Sequence, residues 1–355
     1  MKIAFRTDAS NKIGTGHFMR CVTLAEELKK KDVHIRFLCR NLPIHLRDIL
    51  ITKAIEYIPL DTYDFTDSID ELAHASWLGI SQLQDSKATI NALADQTWDW
   101  IVVDHYALDA RWEIELRSSV KRIMAIDDLA DRQHDCDVLL DQNYFSDMQI
   151  RYKDKVPAHC QLLLGPQYAL LREEFRTLRE QVKVRSGEVK KILVFFGGID
   201  ADNYTLQAIE VLAEVNFGFQ VDVVIGAQHP FKDIIENACA KNGYIFHEQT
   251  LRMAELMLKA DLAIGAGGSA SWERCCLGLP SLLVALADNQ VAIAKELGAI
   301  SACIYIGNGG KVSLKKWLSQ LIANPKQIRK VSENAFLIVD GLGVFRAISK
   351  ISAYL

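Results

Sequence analysis

No run of about 18 apolar residues occurs in the chain, so no segment reads as a membrane span. The opening MKIAFRTD holds an apolar run too short for the hydrophobic region of a secretion signal. A cytoplasmic protein is expected. Positive charge is not in excess either. The 41 Lys and Arg face 45 Asp and Glu, giving a net charge of −4, and no basic stripe appears. Nucleic acid and membrane lipid are therefore not expected partners. No C-x-x-C spacing occurs among the eight cysteines, which argues against a zinc or redox motif. Six stand singly, and Cys275 and Cys276 are adjacent, a poor geometry for pairing with each other. They read as buried thiols of a reducing compartment. Residue repeats and low-complexity linkers are also missing.

What remains is a regular alternation. The 355 residues suit two domains better than one. KIAFR, VHIRFLC, WIVVDH and RIMAI read as strands, with GHFMRCVTLAEELKKK and SQLQDSKATINALADQ as helices between them. The second half repeats this rhythm. ILVFFGG, FQVDVVIG, YIFHE, DLAIGAGG, PSLLVAL and ACIYIG are strands; NYTLQAIEVLAEV, LRMAELMLKA, SASWERCCLG and DNQVAIAKELG are helices. Such alternation predicts an α/β protein with two parallel sheets joined by right-handed crossovers. The Gly-Pro of LLLGPQYALL, followed by the charged stretch REEFRTLREQVKVRSGEVKK, places the domain boundary near Pro166. The expected domains are 1–166 and 167–355.

Ligands of open parallel sheets bind beyond the carboxyl ends of strands. Three glycine turns stand there: GTGH with Gly14 and Gly16, FFGGIDADN with Gly198, and IGAGGSASWE with Gly268 and Ser269. Each opens toward a helix start, where free N–H groups suit phosphate. Together they suggest a diphosphate held between the domains. Gly265, Gly267 and Ala270 also fit G-x-G-x-x-A, with Asp288 about twenty residues on as a ribose-binding acid would be. A dehydrogenase is thus a competing reading, although the fingerprint normally opens a βαβ unit. His17 directly follows GTG, where a dinucleotide loop wants a small residue.

GTGHFMRCVTLAEEL, DHYALD, IDDLADRQHDCDVLLDQNY, LLGPQYALLREEF, FGGIDADN, GAGGSASWERCCLGLP and ADNQ resemble the UDP-2,4-diacetamido-2,4,6-trideoxy-β-L-altropyranose hydrolases of pseudaminic acid biosynthesis. The resemblance runs from Met1 to about Gly298. It implies the glycosyltransferase-B (GT-B) fold, two Rossmann-like domains facing across a cleft, with a last helix, FRAISKISAYL, crossing back to the first domain. It implies that water replaces UDP at C1 with inversion, releasing the free trideoxy-L-altropyranose for flagellin glycosylation or a surface polysaccharide. UDP-sugar and water are then the partners, and the protein is expected to be a monomer or weak dimer.

The resemblance places the general base at His17. Imidazole suits that role, since it titrates near neutral pH. Asp8 is a candidate to orient the ring, or to cap the loop. In the second half, Gly268 and Ser269 would donate to the diphosphate and Glu273 would accept from the ribose. Uracil would lie near QTLRMAELM. Asn289 and Gln290 would read the sugar. Arg172 would hold a phosphate or acetamido oxygen, or be a plain surface arginine. Tyr106 would touch sugar, or form a strand-end pair with His105. The acids of IDDLADR would shape a loop. No cofactor and no metal are expected: Asp202 of the DAD stretch reads as a helix cap, and helix starts supply the charge that a cation otherwise would. A UDP-sugar transferase and a nucleotide-sugar binder without turnover stay open as alternatives.

Overall fold

The computed structural model describes residues 1–10, 12–61, 70–198, 200–215, 217–307 and 309–353, without the side chains of residues 288 and 289. The chain divides into two units. The first comprises Met1–Asn143, Asp147–Leu170 and Gly343–Leu355; the second comprises Tyr144–Ser146 and Leu171–Leu342. The chain leaves the first unit at Leu170, a few residues beyond Pro166, and its last segment is again part of that unit.

The first unit is built on seven strands: β1 (Lys2–Thr7), β2 (His34–Cys39), β3 (Glu56–Pro59), β4 (Trp98–Asp104), β5 (Val120–Ile126), β6 (Val138–Asp141) and β7 (Gln161–Leu164). They run in the order β3-β2-β1-β4-β5-β6-β7, and every pairing is parallel. A parallel sheet is covered on both faces, so its strands are apolar throughout. Successive side chains serve opposite sides. Ile3, Phe5 and Val102 enter one core, while Ala4, Ile101 and Val103 enter another.

The helix Gly16–Lys29 lies on the first of these cores through Phe18, Cys21, Val22, Leu24, Ala25 and Leu28. The C-terminal helix Gly343–Ser352 packs there too, burying Val344, Ala347, Ile348 and Ile351. Burying a valine or isoleucine side chain fully contributes roughly 1.5–3 kcal/mol. This explains why the chain's last helix belongs with its first residues.

The second unit has six strands: β8 (Lys191–Phe195), β9 (Gln220–Ile225), β10 (Ile245–Glu248), β11 (Leu262–Ala266), β12 (Ser281–Val284) and β13 (Ile304–Tyr305). Their order is β10-β9-β8-β11-β12-β13, again parallel. Both sheets thus reverse direction of winding once, between β1 and β4 and between β8 and β11. This is the Rossmann arrangement, and the reversal is where such sheets bind ligands.

Candidate active site

In the first unit the reversal lies between β1 and β4. The chain leaves β1 through residues 8–15 and enters the helix Gly16–Lys29, whose N-cap Thr15 makes no side-chain capping bond. Gly14 has φ 78° and its N–H donates to the Ser10 carbonyl at 2.8 Å, closing the turn. Gly16 and His17 are the first two helical residues, so their N–H groups belong to the set that a helix start leaves without an intrahelical acceptor. His17 is 9% exposed.

β4 ends on Asp104, which is fully buried. Its Oδ1 lies 2.6 Å from His17 Nδ1. A carboxylate only accepts, so Nδ1 carries the hydrogen, and in the neutral ring Nε2 then keeps the lone pair. Arg20, one helical turn after His17, grips the same carboxylate with Nε at 2.6 Å and Nη2 at 2.7 Å. Burial opposes ionisation of Asp104, but Arg20 and His17 prevail and hold its carboxyl well below the usual range. Arg20 also reaches Asp128, at 2.8 Å from Nη1. Asp128 accepts from the Tyr106 hydroxyl at 2.6 Å and from Asn143 at 2.7 Å.

Tyr106 sets the edge of this group. Its ring meets the His17 ring edge-on at 4.5 Å and stacks with Trp77 at 5.5 Å. His74 packs against both Trp77 and Tyr106. Burial pushes the Tyr106 hydroxyl well above its ordinary pKa, and neighbouring Asp128 adds to this, so it remains a hydrogen-bond donor. His105 points the other way. It is buried, accepts from the Ala107 N–H through Nδ1, and sets Nε2 3.3 Å from Asp8. Tyr106 and His105 therefore do not form a pair at the strand end.

Among the described residues, Asp8 neither orients His17 nor caps the GTGH loop. It is fully buried, paired with Arg6 at 2.8 Å, and accepts from the N–H groups of Arg40 and Asn41 at 2.7 and 3.1 Å. Arg6 continues to Asp85 at 2.7 Å. The strand period explains the swap: Asp8 lies just past β1 and is committed to the end of β2, whereas Asp104 ends β4. Two of the decisive partners, Asp104 and Arg20, were not singled out from the sequence. Their signal was present in the i, i+3 spacing of GHFMR and in an acid at the carboxyl end of the strand beside β1.

In the second unit, Gly268 is the N-cap of the helix Ser269–Cys276, with φ 94° and ψ −159°, a conformation reserved for glycine. The Ser271 N–H donates to the Gly268 carbonyl. The N–H groups of Ser269 and Ala270 before it are the ones a helix start leaves free. Ser269 is exposed. Glu273, four residues on, is largely buried and sits 3.5 Å from Arg172. Burial raises its carboxyl pKa, while Arg172 and Arg274 work against that shift. Arg172 pairs more tightly with Glu174, at 2.8 Å, and stays partly exposed. Gln290 lies over Gly267 and accepts from the Leu286 N–H at 3.0 Å. Asn289 falls in the helix Asp288–Ala299, but its side chain, like that of Asp288, lies outside the described residues.

Gly198, exposed after β8, lies on the other side of this unit's reversal. The DAD stretch beside it caps a helix, but through Asp200 rather than Asp202. Asp200 accepts from the N–H groups of Tyr204 and Thr205 and from the Thr205 hydroxyl, at 2.7–2.9 Å. Among the described residues, no group of three or more His, Cys, Asp or Glu is arranged to hold a metal ion. Likewise, none of the described helices is long and apolar enough to cross a membrane.

Residues 191–339, beginning at β8, match the glycosyltransferase family 28 C-terminal domain. The chain is 27% identical over 304 residues to the UDP-2,4-diacetamido-2,4,6-trideoxy-beta-L-altropyranose hydrolase of Campylobacter jejuni, covering 84% of this chain and 96% of that protein. It is 26% identical over 298 residues to the uncharacterized protein MJ1062 of Methanocaldococcus jannaschii, covering 82% of this chain but only 56% of that longer relative. The crystal structure of Acinetobacter baumannii MurG superposes with a TM-score of 0.67 at 14% identity, covering 99% of each chain. The fold is that of the GT-B proteins, with two Rossmann-like domains.

Proposed function

We propose that the protein hydrolyses a UDP-linked 2,4-diacetamido-2,4,6-trideoxy sugar at C1 with inversion, releasing UDP and the free sugar. One observation carries this reading: His17, at a helix start beyond β1, is fixed by buried Asp104 in the tautomer that leaves Nε2 able to accept a proton. The similarity to the Campylobacter hydrolase along most of both chains supports the substrate class.

The step follows from the leaving group. The terminal phosphate of a nucleoside diphosphate has a pKa of about 6, so UDP departs without taking a proton. The attacking water must lose one. Its oxygen bonds to C1 as the C1–O bond to UDP breaks, and the electron pair leaves with UDP. His17 Nε2 takes the proton, and the carboxylate of Asp104 stabilises the imidazolium that forms. Arg20 keeps that carboxylate ionised and in place. Tyr106 and Trp77 offer an apolar wall beside the base.

The nucleotide is assigned to the second unit. The Gly267–Ser269 turn and the start of its helix take the diphosphate, and Glu273 accepts from the ribose hydroxyls. Helix-start charge serves the departing diphosphate, so the reaction needs no metal. Soluble UDP-sugar and water are the only reactants, and the product feeds a surface-glycan or flagellin pathway.

The match to a glycosyltransferase C-terminal domain favours a second reading, transfer to a carbohydrate or lipid acceptor. The two part on one assay. Hydrolysis proceeds with purified protein and UDP-sugar in buffer; transfer leaves the UDP-sugar intact until an acceptor is added.

A further inference from the structure

Arg274 has no part in the scheme above. It is 2% exposed, in the middle of the helix that begins at Ser269. Its Nη2 donates to the Ala266 carbonyl at 2.6 Å and to the Ser271 hydroxyl at 3.1 Å. Among the described residues, its Nε has no hydrogen-bond partner. Among the described residues it forms no ion pair within 4.0 Å. Every other fully buried arginine or near-buried one in the first unit has a carboxylate: Arg6 has Asp8, Arg20 has Asp104, Arg132 has Asp127.

Taking a guanidinium out of water without a counter-charge is costly. Its position shows what offsets that cost. Ala266 is the last residue of β11, immediately before Gly267 and Gly268. A Cβ at Gly265 would stand 3.3 Å from Arg274 Nη1 and 2.1 Å from the Phe195 carbonyl, so glycine is needed for β11 to lie between Arg274 and β8. The cation thus sits directly under the glycine turn. The helix start above it has the same sign, and no acid occupies the helix's first turn. The adjacent acid, Glu273, interacts with Arg274 only without an ion pair, so two positive features stacked at one turn call for a multiply charged ligand.

We propose that Arg274 is a positioning residue that supplies the fixed positive charge making the Gly267–Ser269 turn selective for a diphosphate over an uncharged nucleoside. This rests on the assignment of the nucleotide to that turn. Arg274 acts through the turn that it braces and through its field, which the low-dielectric surroundings transmit with little screening. It would also stabilise the charge that builds on the diphosphate as C1–O breaks, in the place a metal ion takes elsewhere.

The test is calorimetric titration of UDP and of uridine into wild type, Arg274→Gln and Arg274→Lys. Gln keeps a donor for the Ala266 carbonyl without the charge; Lys keeps the charge. Arg274→Gln should weaken UDP by about tenfold or more and leave uridine within about twofold. Arg274→Lys should restore most of the UDP affinity. Equal loss of UDP and uridine, or unchanged UDP affinity in Arg274→Gln, overturns the inference and leaves the nucleotide site standing. If Arg274→Gln does not fold, Arg274→Lys decides alone: a tenfold loss confined to UDP would show that charge is not the cause, and retention would support it. Wild type that binds neither ligand overturns the nucleotide assignment and this inference together.

Discussion

The catalytic proposal comes down to a few atoms around His17. Replacing it with Asn keeps the side chain's size and polarity but removes the base. His17→Asn should lower turnover at least about 100-fold, the usual scale of a general-base effect, with UDP affinity unchanged by calorimetry. Asp104→Asn tests the tautomer separately. An amide can donate to Nδ1 as well as accept, so the ring is no longer forced to present its lone pair at Nε2. Turnover should fall by a similar factor, and near-normal rates would return Asp104 to a purely structural role. Glu273→Ala belongs to the other unit. It should weaken UDP by roughly 1.5–3 kcal/mol, the range for hydrogen bonds to a charged group. Equal UDP affinity in mutant and wild type would move the ribose elsewhere.

At the scale of elements, most of the architecture was legible because parallel strands buried on both faces are apolar throughout. KIAFR, WIVVDH and ILVFF announce themselves as β1, β4 and β8. Two of the short strands did not. β3 (EYIP) and β6 (VLLD) have four residues each and merge into their surroundings, so the sheet came out wider than its sequence suggests. The turns that matter show in their glycines, and His17 stands out by its place after one of them, but its role as base comes from the family resemblance. The partners of His17 were harder, since Asp104 and Asp8 are both acids near strand ends and only the strand order separates them. Arg274 was harder still: a charged residue in SASWERCC reads as solvent-facing until its burial is seen.

The C-terminal helix shows the same limit. FRAISKISAYL is amphipathic, but its docking face is fixed only by the tertiary structure. Ile348 is fully buried in the core shared with Phe5, Phe18 and Phe37. Ile348→Ala should cost about 2–5 kcal/mol in urea unfolding of the first unit. A loss below about 0.5 kcal/mol would mean that the helix contributes little to that core.

For the whole molecule, pH bears on stability through His134. It is buried, 2.8 Å from Glu113 and 3.8 Å from Asp127. Burial alone would lower its pKa, but the two carboxylates push it up to about 9. A folded-state pKa above the ordinary value of about 6.5 means that folding favours the protonated ring. The resulting stability is complete below about pH 6.5 and is lost as pH rises through about 9. The stability gap between wild type and His134→Gln should therefore shrink from pH 6.5 to pH 9.5 in chemical denaturation. A gap that stays constant across this range would contradict a protonated His134.

Function at this scale rests on whether water alone completes the reaction at C1. The decisive measurement is a proton NMR time course of the UDP-linked 2,4-diacetamido-2,4,6-trideoxy sugar with purified protein, in buffer containing EDTA and made up in ¹⁸O-enriched water. UDP should be released without any added acceptor, the free sugar should first appear as the inverted anomer, and ¹⁸O should be in the sugar rather than in UDP. An intact UDP-sugar under these conditions, a retained anomer, or label in UDP would contradict hydrolysis at C1 with inversion.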